Sequence, residues 1–145
     1  MDNTIRNDDF ITYLNMIERV IERMANNSFQ LKGWAVALVS IVGALAINGA
    51  DRRFIILPIL PLVAFWILDA HYLKLERKYQ VLYRNAIEED LQNINFCMDV
   101  NSIKPNSNEK KRITTIACLF SKFVAWFYGC ILISVVLLAF IMRAA

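Results

Sequence analysis

The sequence predicts an all-α integral membrane protein, with three transmembrane helices and a cytoplasmic helical hairpin. Three apolar runs without a charged residue predict the transmembrane helices; they are residues 33–47, 54–68 and 123–142. The composition agrees, because 57% of the residues are hydrophobic, whereas about 45–50% is usual in soluble domains. The positive charges are unevenly distributed around the runs, and this gives the predicted fold an orientation.

The three runs differ in length. Run 123–142 reaches the roughly 20 residues that cross the hydrocarbon core of a bilayer. Runs 33–47 and 54–68 are shorter, and each spans only if flanking residues contribute and their polar ends reach the interface. An Asn-Gly turn signal lies between them, in 48–53, so we expect a helical hairpin and one separate span. The alternative is that only the third run spans and the hairpin is a soluble core.

Lysine and arginine residues set the predicted orientation. Three of the 16 lie on one side of the runs, at Arg52, Arg53 and Arg143, and the other thirteen lie on the opposite side. Cytoplasmic segments carry such an excess, so we expect a cytoplasmic N-terminus and middle segment, and a C-terminus outside. Tryptophans favour membrane interfaces, and one lies at the predicted cytoplasmic end of each run. They are Trp34, Trp66 and Trp126.

These patterns divide the chain into four segments. We expect a cytoplasmic amphipathic helix in 1–30, a transmembrane hairpin in 31–71, a cytoplasmic helix and loop in 72–112, and the third transmembrane helix in 113–145. Within them, 101–108 is a predicted loop because it contains a proline and two serines. Residues 113–121 are expected to form either an interfacial segment or a continuous lead-in to the third span.

The N-terminal segment, residues 1–30, contains apolar residues at alternating four- and three-residue spacing, which predicts an amphipathic helix. We call these residues the first seam. They are Phe10, Leu14, Ile17, Ile21 and Met24. Asp8 or Asp9 is the predicted N-cap, and residues 26–28 (Asn-Asn-Ser) either break the helix or let it continue into the first run.

The second run contains Pro58 and Pro61, which are expected to kink or loosen its helix because proline lacks a backbone donor. Neither glycine nor proline occurs from Asp69 until Pro105, so the helix is expected to project into the cytoplasm to about Met98. Its apolar residues keep helical spacing and form a second seam, which we expect to pack on the first. They are Leu75, Tyr79, Leu82, Ala86, Ile87, Leu91 and Ile94.

Residues that could perform catalysis are few. The sequence has no nucleophile motif, phosphate-binding glycine loop or metal-ligand cluster, so we expect no enzyme, no cofactor and no metal site. The three cysteines have no zinc or redox spacing and are expected to be packing residues. Asp69 and His71 do not share a helix face; they are either ordinary interfacial groups or contacts at a membrane mouth. Without a charge at mid-membrane a transporter is disfavoured, whereas a pore closed by an apolar constriction is compatible.

Small residues recur at helical spacing in the first and third runs, where they permit close helix approach. These candidate pore or packing residues are Gly33, Ala37, Ser40, Ala44, Ala125 and Gly129. They pack either within one chain or against another copy. Short hydrophobic spans also promote association, so we expect a homo-oligomer.

Three cations recur along the projecting helix. Arg77, Lys78 and Arg84 are candidates to bind an anionic signal such as a nucleotide or oligonucleotide. The alternative is that they form only the solvated face that a cytoplasmic segment normally carries.

Two stretches carry a resemblance to a known family. Residues 27–34 read NSFQLKGW and residues 65–77 read FWILDAHYLKLER. Over about residues 10–90 the chain resembles a family of small, mostly uncharacterised bacterial membrane proteins with three spans, in which an aromatic residue such as tyrosine is expected at His71. Similar small membrane proteins serve as channel effectors paired with a nucleotidyltransferase in anti-phage defence of the Hailong type. The resemblance implies a location in the bacterial inner membrane.

Two functional hypotheses follow. The first is an oligomeric channel or membrane-disrupting effector, gated from the cytoplasmic side, serving anti-phage defence and responding to a nucleotide signal from a partner enzyme. The second is a non-conducting membrane anchor or scaffold that recruits a soluble partner. The lipid bilayer is a partner in both.

Overall fold

The computed structural model of the chain describes residues 2–47, 57–88, 96–101, 103 and 105–144. Every regular element within these residues is an α-helix, which confirms the all-α prediction. The helices are α1 (Asp2–Ile47), α2 (Ile59–Glu88), α3 (Ser107–Arg112), α4 (Thr115–Leu119) and α5 (Lys122–Ala144).

α1 runs unbroken from the charged N-terminal segment into the first apolar run. It contains no proline, and its first glycine is Gly33, so no strong helix breaker precedes the apolar run. Residues 26–28 are helical, which decides between the two alternatives for this segment. The predicted N-cap at Asp8 or Asp9 is wrong, because the helix already begins at Asp2.

The two prolines of the second run begin α2 and do not bend it. Pro58 lies in the turn before the helix, and its carbonyl accepts a 3.0 Å hydrogen bond from Leu62 N. Pro61 is in the first helical turn, where the backbone N–H groups have no intrahelical acceptor. The predicted kink is therefore wrong. α2 ends at Glu88, and Met98 lies in a non-helical segment, so the predicted extension to about Met98 is too long.

Two halves of the molecule are distinguished by their side chains. The polar half contains the charged portion of α1 up to Lys32, α2 from Asp69 onward, and the described residues from 96 to 121. The apolar half contains the rest of α1, the turn and helix from Leu57 to Leu68, and α5. α1 and α2 are antiparallel and contribute to both halves.

The polar half has a core made by the two predicted seams. Tyr13, Ile17 and Ala86 are buried there. Partly buried residues pack around them; these are Leu14, Ile21, Tyr79, Leu82, Tyr83 and Met98. The seams therefore pack on each other within one chain, so they provide no evidence for a homo-oligomer. Leu91 and Ile94 of the second seam lie outside the described residues.

The apolar half has a thin core where α1, α2 and α5 meet. Ala35, Leu62, Val124 and Tyr128 are buried in it. Many large apolar side chains point outward; among them are Ile41, Leu60, Ile67, Phe123, Trp126, Ile133 and Phe140. Monomeric soluble proteins rarely expose large contiguous apolar patches.

Two helices are long and apolar enough to cross a membrane. The segments are Arg6–Leu45 of α1 and Lys122–Ile141 of α5. In α2 the apolar portion before Asp69 begins at Ile59 and measures about 15 Å, roughly half of a hydrocarbon core. Residues 54–56 of that run lie outside the described residues. Length and composition thus give weak support for a membrane location, and the third span remains a prediction.

Residues 113–121 connect α3 to α5 and form a bend that we call the elbow. The chain turns after α3 at Ile113 and again after α4 at Phe120, so this segment contains a separate short helix and is not a continuous lead-in. Ala125 N bonds to Ser121 O at 2.9 Å, which begins α5 directly after the second turn.

Candidate functional site

A buried ion pair joins α1 and α2 at the boundary between the two halves. Asp69 is fully buried, and no other charged residue in the described part of the chain is buried. Its Oδ1 accepts hydrogen bonds from Ser28 Oγ and, at 2.9 Å, from Lys32 Nζ. The ammonium also lies 2.7 Å from Asp69 Oδ2 and donates to Ser28 Oγ at 2.7 Å. The three side chains thus form a closed polar triangle between the helices.

Helix geometry brings the three residues together. Ser28 and Lys32 are four residues apart and share one face of α1. Leu31 and Ala35 are buried on the same face, so this face packs on α2. Asp69 directly follows the apolar portion of α2. The pair therefore lies at the level where both helices change from polar to apolar.

The two charges are unequally exposed. The side chain of Lys32 is 23% exposed, whereas that of Asp69 is 0% exposed. A charge without contact to water is stable only when a partner and hydrogen bonds compensate it. Asp69 therefore depends on Lys32 more strongly than Lys32 depends on Asp69.

A tyrosine hydroxyl of α5 lies near the pair. Tyr128 is fully buried, and its hydroxyl has no hydrogen-bond partner among the described residues. It lies within electrostatic range of the Asp69 carboxylate, whose Oδ2 is 2.7 Å from the Lys32 ammonium. The Tyr128 hydroxyl is thus an unsatisfied polar group beside a satisfied ion pair.

Aromatic packing fixes the position of Tyr128. Trp66 stacks on it, with ring centroids 6.1 Å apart and an interplanar angle of 14°. Trp66 Nε1 donates a 3.1 Å hydrogen bond to Leu119 O, which ties α2 to the elbow. Phe127 contacts the Tyr128 ring edge-on at 5.2 Å.

The ion pair connects residues 27–34 with residues 65–77, the two stretches on which the predicted family resemblance rests. The sequence indicated Lys32 only as a residue flanking the first span, and Asp69 as either an ordinary interfacial group or a contact at a membrane mouth, so their mutual contact was missed. One signal could have revealed it. Lys32 directly precedes run 33–47 and Asp69 directly follows run 54–68, and an antiparallel hairpin of equal runs places these charges at the same height.

The single histidine is apart from this site. His71 is exposed, and its ring contacts that of Tyr72 at 6.4 Å. No group of three His, Cys, Asp or Glu side chains in the described ranges could hold a metal ion. The polar triangle of Ser28, Lys32 and Asp69 can therefore hold α1 and α2 together.

The candidate anion-binding cations all have protein partners. Arg77 donates to Arg112 O at 2.6 Å and to Ser121 Oγ at 3.2 Å. Lys78 donates to Asn101 Oδ1 at 3.2 Å. Their ligand role remains a prediction, and Arg77 also has a structural role because it holds the elbow on α2.

Arg84 pairs with Glu109. Glu109 is itself positioned by a 2.9 Å hydrogen bond from Asn106 N. Arg77, Arg84 and Arg112 line one cleft of about 80 Å³ together with Glu109. An anion in this cleft would compete with the Glu109 carboxylate for Arg84.

The small residues of α1 face away from α2. Gly33, Ala37, Ser40 and Ala44 are exposed, and a Cβ added at Gly33 would meet nothing within 4 Å. The space at Gly129 on α5 is equally open, although Gly129 and Ala125 are partly buried. Close helix packing through Gly33 or Gly129 is therefore absent from the described residues of a single chain.

Two further observations concern the cysteines, which were expected to be packing residues, and Glu76. Cys118 is buried, as a packing residue should be, but Cys97 and Cys130 are exposed, so the packing prediction is wrong for these two. On the polar side of the ion pair, burial raises the pKa of the Glu76 carboxyl, although Arg77 and Lys32 act in the opposite direction.

Comparison with known proteins does not assign the chain to a family: no family matches, and no curated protein or solved structure is significantly similar to it.

Proposed function

We propose that the protein is an oligomeric inner-membrane channel or membrane-disrupting effector, gated from the cytoplasmic side. It has three spans, a cytoplasmic N-terminus and an external C-terminus. One observation carries the proposal: α1 and α2 are each continuous from the polar half into the apolar half, and the buried Lys32–Asp69 pair joins them at the boundary. The proposed role in anti-phage defence comes from the sequence resemblance.

Continuous helices favour mechanical coupling. A ligand that moves the polar portion of α1 or α2 also displaces the apolar portion of the same helix, because no loop lies between them. The Lys32–Asp69 pair opposes sliding of one helix along the other, so the two helices respond together.

The pore would form between copies along the exposed small face of α1. Gly33, Ala37 and Ser40 allow helices to approach closely, and the face carries no charge. The closed state is then a dry apolar constriction that conducts when the helices separate and water enters.

The signal would bind in the cytoplasmic cleft of Arg77, Arg84 and Arg112. A nucleotide or oligonucleotide phosphate displaces Glu109 from Arg84, which releases α3 from α2. The Arg84→Gln variant should lose the response to such a ligand while retaining basal insertion.

The second candidate is a non-conducting scaffold that recruits a soluble partner. The scarcity of polar groups in the apolar half favours it. Ser134, one of the few hydroxyls there, is satisfied by its own helix through a 2.7 Å bond to Ile131 O.

Ion flux in proteoliposomes, with and without candidate nucleotides, separates the two functions. Ala37→Asn on the small face should increase basal flux and slow growth of the host. Ile67→Asn, at an exposed position of α2, is the matched control and should mainly impair insertion, by up to about 2–3 kcal/mol. If Ala37→Asn inserts normally and leaves flux and growth unchanged, the pore proposal is wrong and the scaffold function is favoured.

Topology and assembly have their own tests. Reporter fusions at residue 50 and at the C-terminus should both report an external location, and a cytoplasmic C-terminus would overturn the orientation. Mass photometry in nanodiscs should detect oligomers; monomers alone would contradict the assembly.

A further inference from the structure

The elbow between α3 and α5 is held firmly on α2. Lys74 Nζ donates to Thr115 Oγ1 at 3.0 Å, at the beginning of α4. Trp66 bonds to the Leu119 carbonyl at the end of α4, and Arg77 bonds to Ser121 in the turn that follows. These contacts fix both ends of α4, so its outward face has a defined position.

The outward face of the elbow is apolar and aromatic. Ile116 and Phe120 are exposed on and after α4, and Phe123 and Trp126 are 85% and 76% exposed at the beginning of α5. Aromatic side chains of this kind concentrate at the level of lipid headgroups. The same face continues into the 20-residue apolar helix Lys122–Ile141, so one lipid surface can cover both.

Cations surround this apolar face. Lys122 is exposed, makes no hydrogen bond or ion pair with another described residue, and lines a shallow depression with Phe123 and Trp126. Lys74 lies at the other end of α4, and Lys111 is exposed on α3. The nearest carboxylate of α3, Glu109, is already paired with Arg84. Among the described residues, no carboxylate forms an ion pair with Lys74, Lys111 or Lys122.

From this combination we infer that the elbow binds anionic phospholipid headgroups, in the leaflet that faces the polar half. Phe123 and Trp126 insert at the headgroup boundary, and Lys122 contacts the lipid phosphate. Uncompensated lysines next to an apolar surface select anionic lipids, because each cation near a charged membrane adds to the attraction. This site rests on the membrane location proposed above, but it does not depend on ion conduction.

Tryptophan quenching by brominated lipids tests the site. The full-length protein is reconstituted in vesicles that contain either brominated phosphatidylglycerol or brominated phosphatidylcholine. The signal of Trp126 is the difference between the wild type and the Trp126→Phe variant. Brominated phosphatidylglycerol should quench Trp126 more strongly than brominated phosphatidylcholine, and the preference should fall about fivefold in Lys122→Gln.

Two matched variants control for charge and folding. Lys122→Arg keeps the charge and should keep the lipid preference. Arg19→Gln removes an exposed cation of the polar half on α1, whereas the elbow packs on α2, and should also leave the preference unchanged. Equal quenching of Trp126 by both lipids, or a preference that persists in Lys122→Gln, would overturn the anionic site. No quenching of Trp126 by either lipid would overturn it together with the membrane location, whereas a negative flux assay would leave it intact.

Discussion

The two halves of the molecule differ in whether the hydroxyl of a buried tyrosine forms a hydrogen bond. In the polar half, Tyr13 is buried and its hydroxyl donates a 2.8 Å hydrogen bond to Cys97 O. In the apolar half, Tyr128 is buried, and its hydroxyl has no hydrogen-bond partner among the described residues. The polar half thus satisfies its buried hydroxyl within one chain, and the apolar half does not.

The difference extends to packing. Ile17 is fully buried between the seams of the polar half, whereas most large side chains of the apolar half point outward. α5 makes far fewer contacts with α1 and α2 than these two helices make with each other. The comparison indicates that a single chain packs the polar half more fully than the apolar half, whose outward apolar side chains are the ones that the proposed membrane or assembly would cover.

The largest effect should come from removing one charge at the boundary between the halves. Lys32→Met leaves the fully buried Asp69 carboxylate with the Ser28 hydroxyl but without a cation, and should lower the free energy of unfolding in detergent by about 3–5 kcal/mol. Asp69→Asn should cost less, because Lys32 retains contact with solvent. The double variant Lys32→Met/Asp69→Leu should recover much of the loss. If Lys32→Met is no worse than Lys78→Met, a control in the polar half, the pair does not hold the boundary.

A smaller effect is expected from the polar-half core. Ile17→Ala removes a fully buried side chain between the seams and should cost about 2–4 kcal/mol of unfolding free energy. The control Ile11→Ala, at a position that is 54% exposed, should stay within about 0.5 kcal/mol of the wild type. Equal effects at both positions would mean that the seams do not pack within one chain.

The two tyrosines offer the most direct test of the comparison. Tyr13→Phe removes a satisfied hydroxyl and leaves the Cys97 carbonyl unfilled, which should cost about 1 kcal/mol. Tyr128→Phe removes an unsatisfied buried hydroxyl and should stabilise the protein by about 1 kcal/mol. Chemical unfolding of both variants in the same detergent measures the opposite signs. Destabilisation by Tyr128→Phe would show that its hydroxyl has a partner, such as a buried water shared with Asp69.

The smallest effect concerns pH. Burial raises the pKa of Glu76 above its ordinary value of 4.5, so the folded state binds this proton more tightly than the unfolded state does. The contribution of Glu76 to stability is therefore greatest at acidic pH and is lost as pH rises through the raised pKa. Glu76→Gln should be more stable than the wild type at neutral pH by less than about 0.5 kcal/mol, since the carboxyl remains partly exposed. The advantage should vanish on acidification; a constant difference across pH would contradict the raised pKa.

The sequence by itself determined the helical class, the apolar runs and the parts of the seams that pack in the polar half, because hydrophobic periodicity is a local property. Ile87 of the second seam is instead 54% exposed. Leu14, Ile17 and Ile21 face the core of the polar half as their spacing predicted. Local signals also misled: Pro58 and Pro61 were expected to kink a helix that they begin. A proline's effect depends on where the helix starts, and helix boundaries are set partly by tertiary packing.

Only the tertiary structure decided which residues form the candidate site. Lys32 and Asp69 are 37 residues apart, and their contact requires the correct rotation and register of α1 against α2. Burial of Ala35 against Leu62 and Tyr128 sets that rotation, which at the same time turns Gly33 and Ala37 outward. Sequence spacing specifies which residues share a face of one helix, but the face that packs inward is selected by the combined fit of all three helices.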